Sequence, residues 1–93
     1  MDDEPLSNPE ARALIRTIAA EEGGIRFSNH ALEELASDQL DEEDALNVLR
    51  GGWVEYCEER RGTWRYRVTT HTMCVVVTFR SRSSLIVVTA WRK

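Results

Sequence analysis

The apolar residues of this chain change period at Trp53. From Leu14 to Leu49 they recur at helical spacing, and that stretch closes on Gly51-Gly52. From Trp53 to Trp91 they alternate, with β-branched and aromatic residues gathered in four runs between short polar links. Side chains that repeat every 3.6 residues bury one stripe of a helix, whereas alternating ones bury one face of a strand. The switch predicts an α+β fold with the helices first and the sheet second. Ninety-three residues are enough for one modest core and one domain.

Within the helical part, Asn8-Pro9-Glu10 reads as a helix start, with Asn8 as N-cap and Pro9 at the first helical position. Leu14, Ile15, Ile18 and Ala19 form its stripe, and Gly23-Gly24 stops it. Ile25-Arg26-Phe27 reads as a short extended link to Ser28, the cap of a second helix that runs to about Ser37 and buries Ala31, Leu32 and Leu35. Asp41 caps a third helix, with Glu42, Glu43 and Asp44 against its positive terminus and Ala45, Leu46, Val48 and Leu49 turned inward. The strands are expected at about residues 53–58, 63–70, 73–80 and 84–91, and their short links favour an antiparallel meander. The expected domain covers residues 8–93: two to three N-terminal helices packed on one face of a four-stranded antiparallel sheet. Residues 1–7, acidic and with little to bury, are expected to be disordered.

Charge divides along the same line. All sixteen acids lie at or before Glu59; with four arginines among them, residues 1–59 stand at −12. Residues 60–93 carry eight Arg and Lys and no acid, a charge of +8. Strand parity collects part of that charge. Trp64, Tyr66 and Val68 share one face, as do Met73, Val75, Val77 and Phe79, and Leu85, Val87, Thr89 and Trp91. If these sets face the helices, the opposite face is bordered by Arg65, Arg67, Arg80 and Arg92. The bland alternative is a solvated face partly paired with acids of the helices. Against it stands the complete lack of acids after Glu59, since solvated strands usually mix signs.

Other classes of function find little support. No apolar run approaches the ~20 residues of a membrane span, so no membrane partner is expected. The acidic N-terminus does not read as a signal peptide, and a cytoplasmic location follows as the expectation. Cys57 and Cys74 fall on strands that would not be neighbours, and no CxxC or histidine cluster suggests a metal. No cofactor is expected.

Arginine forks bind phosphate oxygens in pairs and stay charged at any working pH, so the basic face suits an RNA backbone. His30 falls in the first turn of the second helix, where the positive terminus favours a neutral imidazole able to act as a base; the alternatives are a histidine bonded to a nearby carbonyl, or an exposed one. His71 reads as an exposed turn residue. Trp53, Trp64 and Trp91 lie near strand ends; packing is the first reading for them and base stacking the second.

At Phe27-Ser28-Asn29-His30-Ala31-Leu32-Glu33, at Asp41-Glu42-Glu43-Asp44-Ala45, and at Val48-Leu49-Arg50-Gly51-Gly52, with Val87-Val88-Thr89-Ala90-Trp91 near the end, the chain resembles a small bacterial family. Its domains are uncharacterised and are grouped with RelE-like toxins, MqsR-type mRNA interferases above all. The resemblance covers about residues 25–91. It implies a RelE-like fold, metal-free RNA cleavage with or without the ribosome, and a cognate acidic antitoxin. His30 would act as base or acid, Arg65 and Arg80 would stabilise the anionic phosphorane, and Lys93 or Arg92 would assist from the last strand. Arg60, Arg61, Arg67, Arg82 and Arg92 are the expected contacts to the RNA backbone. Family members commonly carry arginine four residues after the histidine, where this chain has Glu34. That departure supports a second expectation, a module of the same fold that binds nucleic acid or protein without catalysis. A homodimer, in which the acidic helices of one copy meet the basic sheet of another, is a third.

Overall fold

Each helix starts where a side chain accepts a hydrogen bond from an amide that the helix itself leaves unpaired. A computed structural model describes residues 1–93 and places helix α1 at Asn8–Ala19, α2 at Asn29–Ser37 and α3 at Glu42–Gly51. Ser7, not Asn8, caps α1: its hydroxyl accepts from the Glu10 amide at 3.2 Å and the Glu10 carboxylate accepts from the Ser7 amide at 3.0 Å. The bond from the Ser7 amide, with a smaller one from its hydroxyl, holds the Glu10 carboxyl below the ordinary range. Asn8 turns away and donates to the Glu55 carbonyl at 3.1 Å. Ser28 caps α2 through the Ala31 amide, 3.0 Å, and Asp41 and Asp44 form a reciprocal box at the start of α3.

The inward stripes follow the expected spacing. Ala11, Leu14, Ile15, Ile18 and Ala19 are buried from α1, and Ala45, Val48 and Leu49 from α3. From α2 only Ala31 and Leu35 are buried. Leu32, expected inside, is 37% exposed, because it is about 100° round the helix from Ala31 and faces the cleft between α1, β1 and α3.

The strands are β1 (Ile25–Phe27), β2 (Trp53–Arg60), β3 (Thr63–Thr69), β4 (Met73–Ser81) and β5 (Ser84–Arg92), in the sheet order β1-β5-β4-β3-β2. Strands β2 to β5 form the antiparallel meander. β1 adds to its end in parallel, Ile25 opposite Leu85 and Phe27 opposite Val87, with the Leu85 amide donating to the Gly24 carbonyl at 2.8 Å. The sheet is therefore five-stranded and mixed, which corrects the expected four-stranded antiparallel, RelE-like sheet. Three residues display too little alternation to announce a strand, and a parallel partner of β5 is separated from it by most of the chain.

All three helices pack on one side of this sheet. A single core cluster joins their buried residues to Tyr66, Val68, Val75, Val77, Phe79, Leu85, Val87 and Ala90. Each Val or Leu fully withdrawn from water here contributes about 1.5–3 kcal/mol. The register shifts at three places: at the end of β4, where Phe79 pairs with Leu85 and Ser81 with Ser84 and Arg80 has no partner, and at two bulges that reset the parity the sequence implied. One interrupts β2 between Val54 and Tyr56; the other lies in β5, where Val76 and Val77 pair with Thr89 and Val87 and leave Val88 unpaired. An extra residue turns every later side chain to the opposite face. Thr89 and Trp91, expected to face the helices, therefore face outward, and Ala90 takes the inward place opposite Val75. Arg92, expected on the outward border, sits instead opposite Met73. Its guanidinium donates to the Asp38 carbonyl at 3.0 Å and its amide to the Asp38 carboxylate at 2.9 Å.

The expectation of disorder over residues 1–7 rested on their having little to bury. Leu6, however, is 4% exposed and belongs to the core cluster. Beside it the Tyr66 hydroxyl accepts from the Leu6 amide at 3.1 Å and donates to the Glu4 carboxylate at 2.8 Å. Burial pushes the Tyr66 hydroxyl well above the ordinary tyrosine value; the Leu6 amide opposes this, and the Glu4 carboxylate adds to it. A group that binds its proton more tightly when folded leaves stability intact below its unfolded value, near 10, and withdraws it as pH rises through the folded value. The denaturation midpoint will accordingly fall above about pH 10. Tyr66→Phe will start roughly 1 kcal/mol lower for its lost hydrogen bonds and show a shallower alkaline decline. Parallel alkaline slopes in the two proteins would show that Tyr66 does not set the alkaline decline.

Candidate nucleic-acid interface

With the helices confined to one side, the outward face of the sheet stays open. None of its apolar residues, Trp53, Tyr56, Cys74, Val76, Ile86 or Trp91, joins the core cluster. Register sets out the face in rows. Trp53, Thr69, Cys74 and Trp91 are successive partners across four strands, and Tyr56, Arg67, Val76 and Thr89 form the next row. A third begins with Glu58 and Arg65 and ends with Thr78, Ile86 and Arg26; Arg80 follows Thr78 on the same face of β4.

The first two rows make an aromatic half. Arg67 lies between two rings, its guanidinium carbon 4.8 Å from the centroid of Tyr56 and 5.0 Å from that of Trp91. Its neighbours on β4, Val76 and Cys74, are small enough for the side chain to pass over them. Each ring contact is a cation–π interaction of about 0.5–2 kcal/mol, and a carboxylate oxygen of Glu55 stands 3.9 Å from Arg67 Nη1. The Arg67 Nε–H is buried without an acceptor. Trp53 and Tyr56 are 43% and 41% exposed, and Trp53 meets His71 edge to face at 5.7 Å.

The opposite half is cationic. Arg50, Arg60 and Arg82 reach carboxylates of Glu43, Glu58 and Asp3, whereas Arg26, Arg65 and Arg80 reach none. The Arg65 Nε–H is a second buried donor without a partner. An unpaired buried donor costs about 1–3 kcal/mol unless something arrives to accept from it.

At the margin, α2 completes the edge of β5 that β1 is too short to cover. The Ser28 hydroxyl donates to the Val88 carbonyl at 2.9 Å, the Glu34 carboxylate accepts from the Ala90 amide at 3.3 Å and from the Thr89 hydroxyl, and Asp38 accepts from the Arg92 amide. His30 Nε2 is 3.2 Å from the same Glu34 oxygen, and both line a cleft with Trp91.

These positions separate the residues expected to act together. Arg65, Arg67 and Arg80 share the open face. His30 sits at its rim near the level of Thr89, about 13 Å along β5 from Leu85, the level of Arg80. Lys93 lies past the end of β5, its amide bonded to the Thr72 carbonyl at 2.9 Å. Arg60 and Arg61 are at the β2–β3 turn, and Arg82 is in the β4–β5 turn. Four residues of the face escaped the sequence reading: Tyr56, Thr89 and Trp91, which the bulges turn outward, and Arg26, which the unrecognised β1 carries. None of them had a sufficient local signal, since Ile25-Arg26-Phe27 is too short an alternation to announce a strand.

Residues 27–92 match a family described as a domain of unknown function, DUF4258. The chain belongs to the DUF4258 family. The match takes in α2, α3 and the meander, and with them all of the open face except Arg26, while α1 lies outside it. No curated protein and no solved structure matches this DUF4258 chain.

Proposed function

We propose that this DUF4258 protein binds single-stranded RNA across the open face of its sheet. The observation that carries the reading is one open face with outward aromatic rings at one end and, at the other, three guanidinium groups (Arg26, Arg65 and Arg80) that have no carboxylate partner. Bases stack on aromatic side chains irrespective of sequence, at about 1–3 kcal/mol per base, while arginines follow the backbone. Single strands are the suitable form because only unstacked bases can lie flat on a sheet. A fluorescently labelled single-stranded RNA should bind at low salt. With about four phosphates contacted, affinity should drop roughly fifty-fold between 50 and 200 mM salt. Absence of binding at 50 mM salt would reject the proposal.

A second reading is metal-free cleavage of the same RNA, in the manner of the RelE-like toxins that the sequence resembles. The contact between His30 and Glu34 at 3.2 Å, beside Trp91, favours it, since a carboxylate orients an imidazole for proton transfer. An acidic antitoxin would then lie over the arginines and block them. This reading calls for cleavage products that disappear in His30→Ala while RNA binding persists.

A further inference from the structure

The cationic half of the face ends in a cleft of about 230 Å³ lined by Arg26, Arg80, Ser84 and Ile86. Arg26 comes from β1 and Arg80 from β4, and Arg65 stands on the other side of Arg80 on β3. No acid lines this cleft, and none of the three guanidinium groups has a carboxylate partner. The sheet also stops here: Arg80 is followed by Ser81 and the turn into β5.

Resting on the reading of the face as an RNA site, we propose that this cleft is a subsite for a terminal phosphate of the bound strand. A phosphodiester carries one negative charge, whereas a phosphomonoester at neutral pH carries about −1.5 to −2 and offers three strong acceptor oxygens. Arg26 and Arg80 supply paired donors from two sides, the Ser84 hydroxyl supplies another, and Arg65 brings a third uncompensated charge. Interior phosphates would be served by Arg67; a cleft at the end of the sheet suits the end of a strand. From Arg80 to Cys74, the partner of Trp91, is six residues of β4, about 20 Å. A short oligonucleotide can therefore reach the aromatic half while its end stays in the cleft.

The test compares one short single-stranded RNA in three forms, with a 5′-phosphate, with a 3′-phosphate, and with hydroxyls at both ends, at one ionic strength. One phosphorylated form should bind at least about tenfold tighter than the hydroxyl form, and the identity of that form sets the direction of the strand. The preference should shrink as pH falls through about 6, where the monoester gains its second proton. It should vanish in Arg26→Gln and Arg80→Gln and survive in Trp91→Ala, which weakens all three forms together. Arg16→Ala, an equal loss of charge on α1, should leave the preference intact. Equal binding of the three RNAs overturns the subsite but not the RNA face, as does a preference that persists in both arginine variants. Failure of every form to bind overturns both.

Discussion

Trp91→Ala will weaken binding of single-stranded RNA roughly ten- to hundredfold, the worth of one stacked base, and leave thermal unfolding within a few degrees of the parent. Two effects combine in it. The variant removes an outward ring, and it also removes one of the two rings that hold the Arg67 guanidinium, at 5.0 Å. Residues that share a contact do not add. Arg67→Ala combined with Trp91→Ala should therefore lose less than the sum of the two single losses, which an anisotropy titration of all four proteins will show. Trp91 is only partly buried and lies outside the core cluster, so little stability should go with it. Unchanged RNA affinity in Trp91→Ala would move the binding site off this face.

The second large effect is on stability and separates two adjacent glycines. A methyl group on Gly52 would lie 2.6 Å from the Thr69 carbonyl oxygen and 2.7 Å from that of Val48, whereas one on Gly51 would meet nothing within 4 Å. Both obstacles are backbone and cannot swing aside. The Gly52 amide also donates to the Val48 carbonyl at 2.7 Å, and its carbonyl accepts from Arg12 Nε at 3.1 Å, which fixes the residue from both sides. Gly52→Ala should cost about 2–3 kcal/mol, the range for forced overpacking, and lower the melting temperature of a domain this size by roughly 10–20 °C. Gly51→Ala, at the end of α3, should be neutral or stabilising by up to about 1 kcal/mol, since alanine is the better helix former. A calorimetric melt of the two variants decides it: equal losses would mean that α3 does not approach β3 closely at Gly52.

Much of the fold is legible in the sequence because local rules govern it. Ser28 and Asp41 cap the helices expected of them, the stripe from Leu14 to Ala19 is buried, and the four strands of the meander begin where alternation begins. The candidate face is legible only in part. Arg65, Arg67 and Arg80 lie on one face as parity requires, but parity counted through β5 places Trp91 inside and Arg92 outside. A bulge is decided by how two strands fit together over a core, and nothing in Val87-Val88-Thr89 marks the residue that will be left over. Val88 is that residue because Val77 pairs with Val87 and Val75 with Ala90, which keeps a small side chain under the helices at the inward position. The same insertion exchanges an arginine for a tryptophan on the open face, and so gives Arg67 a ring to rest against.

The sequence by itself determined the three helices, the four strands of the meander that follow them, the one-sided packing, and the presence of cationic strands free of acids. These follow from periodicity and composition, which act over a few residues. Tertiary structure alone decided that β1 joins β5 as a fifth strand. It also decided that two bulges turn Tyr56 and Trp91 outward, and that Gly52 but not Gly51 must lack a side chain. Each of these depends on residues far apart in the chain meeting at one place, and pairing across a sheet is settled by the fit of whole strands.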